Sequence, residues 1–312
     1  MTQAGKSGQK LDALYNLLAG ADETYRKIPQ NMKMEIEKIS QGLTEFGPRK
    51  LHRRGPGTEF FESRDFRPGV DEPKRINARL SGRAGKPVVI EKEAEIRQHF
   101  YLWRDASGSM DYASEGLRYT KKQAAEVMLL AFAKHLARNE EMIGVLDRKG
   151  AWRGGKASEA LAHRLMDVNI MTGDMPAVER KLPRHSTVAL FSDFLVDPQT
   201  VLKTLDRITG MELKGFLVMV LDPQEINFDF RGYVEFEGLE GEEKQRFKKV
   251  ESLKTAYQEK MRAHIAEVQR LCALKGFRFI LQRTDRPLHN ALLAIYGLSS
   301  RAPAGSPAPG LG

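Results

Sequence analysis

Beyond residue 100, short runs of apolar residues alternate with amphipathic stretches, which predicts strands and helices in turn. The apolar runs predict strands at residues 100–104, 142–146, 187–195, 213–221 and 277–282. The amphipathic stretches predict helices at residues 119–138, 158–166, 198–208 and 242–274, with a last helix from Pro287. Strands that are apolar throughout and separated by helices are typical of a parallel sheet covered on both faces. We therefore predict an α/β domain over residues 100–300, with a mainly parallel sheet and helices on both faces.

Before this domain the pattern changes twice. Apolar residues at three- and four-residue steps predict an N-terminal helical segment over residues 1–45, with helix at 8–43 and a break or kink at Pro29. Residues 47–86 follow with a broken apolar pattern and 11 Lys/Arg against 5 Asp/Glu, so most of the net charge of +9 lies here. We predict a basic, β-rich extension at residues 46–99.

The composition bounds the class of protein. Hydrophobic residues make up 41% of the chain and charged residues 29%, which is too apolar for a disordered protein and too charged for a membrane protein. The Ala/Pro/Gly/Ser-rich tail at residues 301–312 does have the composition of a disordered segment. We expect no membrane span and no secretory signal, because the apolar runs are short. The single cysteine, Cys272, excludes an intramolecular disulfide, and we expect a cytoplasmic location.

The loop after the first strand of the predicted sheet carries the clearest candidate chemistry. Asp105, Ser107 and Ser109 place one carboxylate and two hydroxyls at alternate positions, and Asp193 follows a later strand. Ligands of an open parallel sheet bind at the carboxyl ends of its strands, so Asp193 can face the same ion. An all-oxygen set suits one Mg²⁺ or Mn²⁺. The alternative is a helix N-cap, where Asp and Ser are favoured without a metal; the second acid favours the metal site.

This arrangement resembles the von Willebrand factor A domain and its metal-ion-dependent adhesion site. The resemblance implies a Rossmann-like fold of the von Willebrand A type. It also implies one divalent cation, held by Asp105, Ser107 and Ser109 from a first loop and by Asp193 from a third. The family's second-loop threonine corresponds best to Thr172, although the usual Gly-Gly-Thr context is missing. In this family the cation is left open to an acidic side chain of a partner.

A longer series of motifs is similar to the domain-of-unknown-function-58 family, in consistent order over residues 46–300. The motifs are RRGPGTEFF at 53–61, RDFRPG at 64–69, EKEAE at 91–95, LDPQE at 221–225, FEGLEG at 236–241 and TDRPL at 284–288. Two stretches depart from the family pattern, Val70-Asp71 and the sequence RINA at 75–78. The resemblance implies a MoxR-type AAA ATPase partner and an unknown protein client.

Together these features predict a non-enzymatic, metal-dependent protein–protein interaction module that acts with a MoxR-type AAA ATPase in assembly or maturation of other proteins. One alternative is a Mg²⁺-dependent hydrolase in which Asp193 or Asp222 orients water. Another is a nucleic-acid binder that uses the basic residues of 47–86 and the aromatic residues among them. We expect no nucleic-acid partner, because acidic residues of the same segment can pair with its arginines. Those acids are Glu59, Glu62, Asp65 and Asp71. The same charge would also suit docking onto an acidic ATPase surface.

Overall fold

The computed structural model divides the chain into two compact units, one of residues 35–98 and one of residues 1–34 with 99–312. It describes residues 3–28, 60–69, 71–92, 98–146, 149–165, 175–178, 181–228, 234–236, 245–247 and 254–296. The strands of these ranges are β1 (Phe60–Asp65), β2 (Val88–Lys92), β3 (His99–Arg104), β4 (Met142–Val145), β5 (Ala151–Trp152), β6 (Thr187–Ser192), β7 (Lys214–Leu221), β8 (Val234–Phe236), β9 (Gln245–Phe247) and β10 (Arg278–Arg283). The helices are α1 (Gln3–Arg26), α2 (Ala78–Ala84), α3 (Lys121–Arg138), α4 (Ala157–Leu165), α5 (Pro198–Gly210), α6 (Pro223–Asn227), α7 (Lys254–Leu274) and α8 (His289–Ile295).

The larger unit is built on a six-stranded sheet in the order β10-β7-β6-β3-β4-β5. The first five of these strands are parallel to their neighbours, and only the two-residue edge strand β5 runs antiparallel. The chain runs outward from β3 to β4 and β5, then returns to β6 on the other side of β3 and continues to β7 and β10. This is the strand order of Rossmann-like folds, and it confirms the predicted mainly parallel α/β sheet. The order reverses between β3 and β6, where such sheets bind ligands.

Helix α3 is the central packing element of this unit. Thr120 caps its N-terminus in a capping box with Gln123, and its alanine- and leucine-rich sequence leaves most of its residues buried. Its Phe132 ring lies edge-on to Phe100 of β3 at 5.9 Å and to Phe216 of β7 at 5.4 Å between ring centroids. Aromatic pairs of this geometry stabilise by about 1 kcal/mol beyond the burial of their area. Helix α3 therefore fixes the strands that carry the candidate site.

The smaller unit contains the antiparallel pair β1–β2 and helix α2. Arg64 forms two hydrogen bonds with the carboxylate of Asp71, at 2.6 and 2.7 Å, and Lys86 contacts Asp65 at 2.8 Å. The predicted pairing of arginines with local acids is therefore confirmed at Asp71, whereas the Asp65 carboxylate pairs with a lysine. Residue Glu59 and the side chain of Glu62 lie outside the part of the chain that the structure describes.

One predicted helix has the wrong start. Helix α7 begins at Lys254, whereas residues 245–247 form strand β9, which pairs antiparallel with β8. The apolar stripe that predicted helix over 242–274 begins only at Val250, so the preceding polar residues carried no helical signal of their own.

Other predictions fall wholly or partly outside the described residues. Helix 8–43 is confirmed as far as Arg26, and its predicted second half with Pro29 is not described. The same holds for the tail at 301–312. Within the described ranges, no helix combines the length and apolarity needed to cross a membrane.

Candidate metal centre

The candidate site lies where β3 and β6 end side by side. The backbone N–H of Asp105 donates to the carbonyl of Phe191 at 2.8 Å, which ties the two strand ends together. The Asp105 carboxylate is 1% exposed. Its Oδ1 accepts from the Ser107 N–H at 2.7 Å, and its Oδ2 accepts from the Ser192 hydroxyl at 2.6 Å. Both oxygens therefore have fixed positions at the base of the site.

Hydrogen bonds connect the remaining described candidate ligands. The Ser107 and Ser109 hydroxyl oxygens lie 3.0 Å apart, and the Ser109 hydroxyl donates to Asp193 Oδ2 at 2.7 Å. Both serines are half-buried, whereas Asp105 and Asp193 lie beneath the surface. The structure thus brings four of the five predicted ligands together. The fifth, Thr172, lies outside the described residues.

The serines do not serve as helix caps. Ser107 precedes a short 3₁₀ helix, Gly108–Asp111, but its side chain makes no capping hydrogen bond. The long helix that follows is capped by Thr120 instead. The two serines therefore cap neither helix, whereas Asp105 accepts the Ser107 N–H as in an Asx turn. The two hydroxyls are directed toward each other and toward Asp193.

The loop that carries Asp193 has a strained backbone. Phe194 adopts a left-handed conformation, with φ of 48°, although it is a bulky residue with a fully buried side chain. Its N–H donates to the Ser192 hydroxyl at 2.9 Å, and its carbonyl accepts from the His264 ring at 2.7 Å. Such a conformation costs on the order of 1–3 kcal/mol and concentrates at functional sites. The next residue, Leu195, donates its N–H to Asp193 Oδ1 at 3.2 Å, so the turn holds this carboxylate beside Ser109.

A buried lysine that the sequence analysis missed completes the site. Lys121, the first residue of α3, is 0% exposed, and its Nζ lies 2.7 Å from Asp193 Oδ2 and 2.5 Å from Glu225 Oε1. A positive charge in the first turn of a helix opposes the helix dipole. That unfavourable placement was the available sequence signal that Lys121 has acidic partners.

Helix α6 holds the loop after β3 in place. Asp222 and Glu225 form its capping box, and Asp222 Oδ2 also accepts from the Ser114 N–H at 2.8 Å. The Tyr112 hydroxyl donates to Gln224 Oε1 at 2.8 Å. Asp222 and Glu225 therefore have structural roles here, and they connect the loop of Asp105 to the end of β7.

The buried charges of the candidate site differ in how far neighbouring groups of opposite charge compensate them. Burial raises the pKa of Asp105, since it outweighs the hydrogen bonds from Ser192 and Ser107, and the neighbouring Asp193 charge adds to the rise. Burial alone would lower the pKa of Lys121, but attraction by Asp193 and Glu225 more than offsets it, so the pKa is raised. Lys121 therefore stays an ammonium, while the Asp105 charge lacks a nearby positive partner among its described contacts.

The donor set fits a hard divalent cation. Neighbouring oxygen ligands of octahedral Mg²⁺, each bound at 2.0–2.1 Å, lie about 2.9 Å apart. The Ser109 oxygen lies 3.0 Å from that of Ser107 and 2.7 Å from Asp193 Oδ2, which are also normal O–H···O hydrogen-bond lengths. The fit therefore rests on the chemistry of the donors, which are hard carboxylate and hydroxyl oxygens. No three His, Cys, Asp or Glu side chains of the described ranges form a metal-binding group. A zinc-type set is therefore not found there, and the candidate is a mixed carboxylate and hydroxyl site.

The fold and the site together define a Rossmann-like α/β protein with a polar cluster at its switch point. The sequence profile of the family described as "Protein of unknown function DUF58" matches residues 62–267, about two thirds of the chain. The chain belongs to this family. The matched region contains Asp105 and Asp193. It begins later and ends earlier than residues 46–300, over which the sequence motifs resemble the family. No curated protein matches the sequence.

Proposed function

We propose that this chain is a non-enzymatic protein–protein interaction module of the von Willebrand A type that depends on one Mg²⁺ or Mn²⁺. Asp105, Ser107, Ser109 and Asp193 would hold the ion, with Thr172 as a further ligand. One observation carries the proposal: oxygens of Ser109 and Asp193, from two separate loops, meet at 2.7 Å where the strand order reverses.

The exposure of the candidate ligands suits adhesion. When bound, the cation would supply an electrophilic centre that can accept an oxygen from another protein. Ser107 and Ser109 are neutral and half-buried, so they leave charge on the ion and leave the site accessible. Leu195, two residues after Asp193, is 38% exposed and offers an apolar contact beside the site. A partner with an acidic side chain next to apolar residues would fit this surface.

The proposed partners follow from family resemblance. We propose a MoxR-type AAA ATPase and a protein client whose assembly or maturation the complex assists, in the cytoplasm. The buried Cys272 thiol supports a reducing compartment, because it needs no disulfide partner.

The hydrolase alternative gains no support from the carboxylates described around the site. Asp222 accepts backbone N–H groups with both oxygens, and Glu225 is held by Lys121 and by the capping box. Asp193 accepts from Lys121, Ser109 and the Leu195 N–H. A general base must be able to take a proton from water. Asp222 and Glu225 are held by structural contacts, and Asp193 is the carboxylate that this proposal assigns to the ion.

Partner retention by the tagged full-length chain should require a divalent cation. We expect proteins from the native lysate, including an AAA ATPase, to be retained in Mg²⁺ and released in EDTA. Asp105→Asn should retain them in neither buffer. Asp111→Asn, the same change at a largely exposed carboxylate of the same loop, should behave as wild type. Retention of the same proteins in EDTA would contradict the proposal and point to residues 47–86 as the interface.

A further inference from the structure

One of the candidate ligand atoms, Asp193 Oδ2, already contacts a positively charged side chain. Asp193 Oδ2 accepts from the Ser109 hydroxyl and also from the Lys121 ammonium, both at 2.7 Å. A divalent cation that binds Asp193 must therefore share or displace this contact. The lysine side chain is fully buried, so solvent does not screen its charge.

We propose that Lys121 is an internal competing cation that sets the affinity of the site for divalent metal through its contact with Asp193 Oδ2. This inference rests on the proposed function, since it assigns a regulator to the same site. Lys121 is a positioning residue here: it acts on the ion through Asp193 and is not itself a ligand.

A second carboxylate, Glu225, allows Lys121 to lose its contact with Asp193 and still have a partner for its buried charge. The Lys121 Nζ contacts Glu225 Oε1 at 2.5 Å as well as Asp193. Leaving a buried charge without a partner is strongly destabilising. With Glu225 as a second partner, Lys121 remains paired when Asp193 turns to a metal ion. Because two carboxylates surround the Lys121 ammonium, a metal ion can replace it at Asp193 while the buried ammonium stays paired.

The exchange also connects the metal site to helix α6. Glu225 belongs to the capping box of this helix, and its partner Asp222 holds the Ser114 N–H at 2.8 Å. Three contacts therefore run in series from the lysine to the loop of Asp105: Lys121 to Glu225, Glu225 to Asp222 and Asp222 to Ser114.

The test is Mn²⁺ titration by calorimetry of the full-length chain and of Lys121→Met. Methionine keeps the length of the lysine stem and removes the charge. We expect Mn²⁺ to bind Lys121→Met at least about tenfold more tightly, because a like charge beside the ion is removed. Lys122→Met is the matched control, since Lys122 follows on the same helix, contacts only Asp111 among its described partners, and should leave the affinity unchanged.

A second variant distinguishes the loss of the competing Lys121 contact at Asp193 from a change in net charge. It also reduces the risk that the variant misfolds. Lys121→Met with Glu225→Gln has the same net charge as wild type, and the glutamine oxygen can keep the hydrogen bond that Glu225 accepts from Asp222 N–H. In this double variant Asp193 loses the Lys121 charge, whereas residue 225 no longer carries a charge that needs a partner. We expect this double variant to bind Mn²⁺ more tightly than wild type as well. Mn²⁺ should also raise its melting temperature by more than that of wild type.

Each outcome decides the inference. Tighter binding in both variants supports it. Equal or weaker binding in the double variant, with Mn²⁺ bound to wild type, overturns it and leaves the proposed metal site standing. Binding in the variants but not in wild type supports the competition and contradicts a metal-loaded wild-type site. Absence of binding in all of them overturns both proposals.

Discussion

Asp105→Asn is expected to bind Mn²⁺ at least about 100-fold more weakly than the wild-type chain. Loss of an outer contact to a metal ligand costs 10–100-fold in metal affinity, and loss of a ligand's charge should cost at least as much. Asp105 is one of two carboxylates in the candidate set, and it sits between β3 and β6 with both oxygens fixed. Calorimetric titration with Mn²⁺ measures the effect.

The fold should survive this change. Asparagine has the shape of aspartate, and the Ser192 hydroxyl can rotate to accept from its amide group. Chemical denaturation of Asp105→Asn checks that the loss of affinity does not reflect unfolding. Asp111→Asn controls for the removal of one charge from the same loop, since the Asp111 side chain is 57% exposed and contacts Lys122. Wild-type affinity in Asp105→Asn would contradict the assignment of this carboxylate.

Gly215→Ala should destabilise the larger unit by at least about 3 kcal/mol. A Cβ on Gly215 would overlap the backbone carbonyl oxygen of Val188 and lie 2.9 Å from its carbonyl carbon. Val188 and Gly215 face each other in the β6–β7 register, so the clash cannot be relieved by a rotamer change. The variant should show a much lower midpoint in urea denaturation.

Gly210→Ala is the matched control for this change. Gly210 is the last residue of α5, and a Cβ there meets nothing within 4 Å. Replacing such a glycine restricts the unfolded chain and stabilises by about 0.4–1 kcal/mol. Equal stability of Gly215→Ala and wild type would show that β6 and β7 are not packed as closely as described.

The sheet could be predicted from sequence because its strands are buried on both faces. A strand such as β7 is then apolar along nearly all its length, and its limits follow from the polar residues around it. The predicted start of helix α7 is too early. The chain before Lys254 contains charged residues and only a weak apolar pattern, so the sequence does not mark where the helix begins. Strand β9 forms there through pairing with β8, which only the folded backbone specifies.

The two candidate carboxylates could be predicted because each directly follows a parallel strand. That rule places Asp105 and Asp193 at one edge of the sheet without knowledge of any contact. Lys121 and Ser192 escaped prediction because their roles depend on contacts across 72 and 87 residues of sequence. Ser192 has no pattern that marks it as the partner of Asp105. The position of Lys121 in a first helical turn suggests an acidic partner, as it does for Lys122, but not that the pair is buried.

Anomalous diffraction from a crystal of this chain grown with Mn²⁺ shows whether a divalent cation binds at the edge of the sheet that carries Asp105. We expect one manganese peak bonded to oxygens of the Asp105, Ser107, Ser109 and Asp193 set, with at least one position open to water or to a carboxylate of a neighbouring molecule. A crystal in saturating Mn²⁺ with no peak at this edge of the sheet, and with Lys121 still in contact with Asp193, would contradict the proposed metal site.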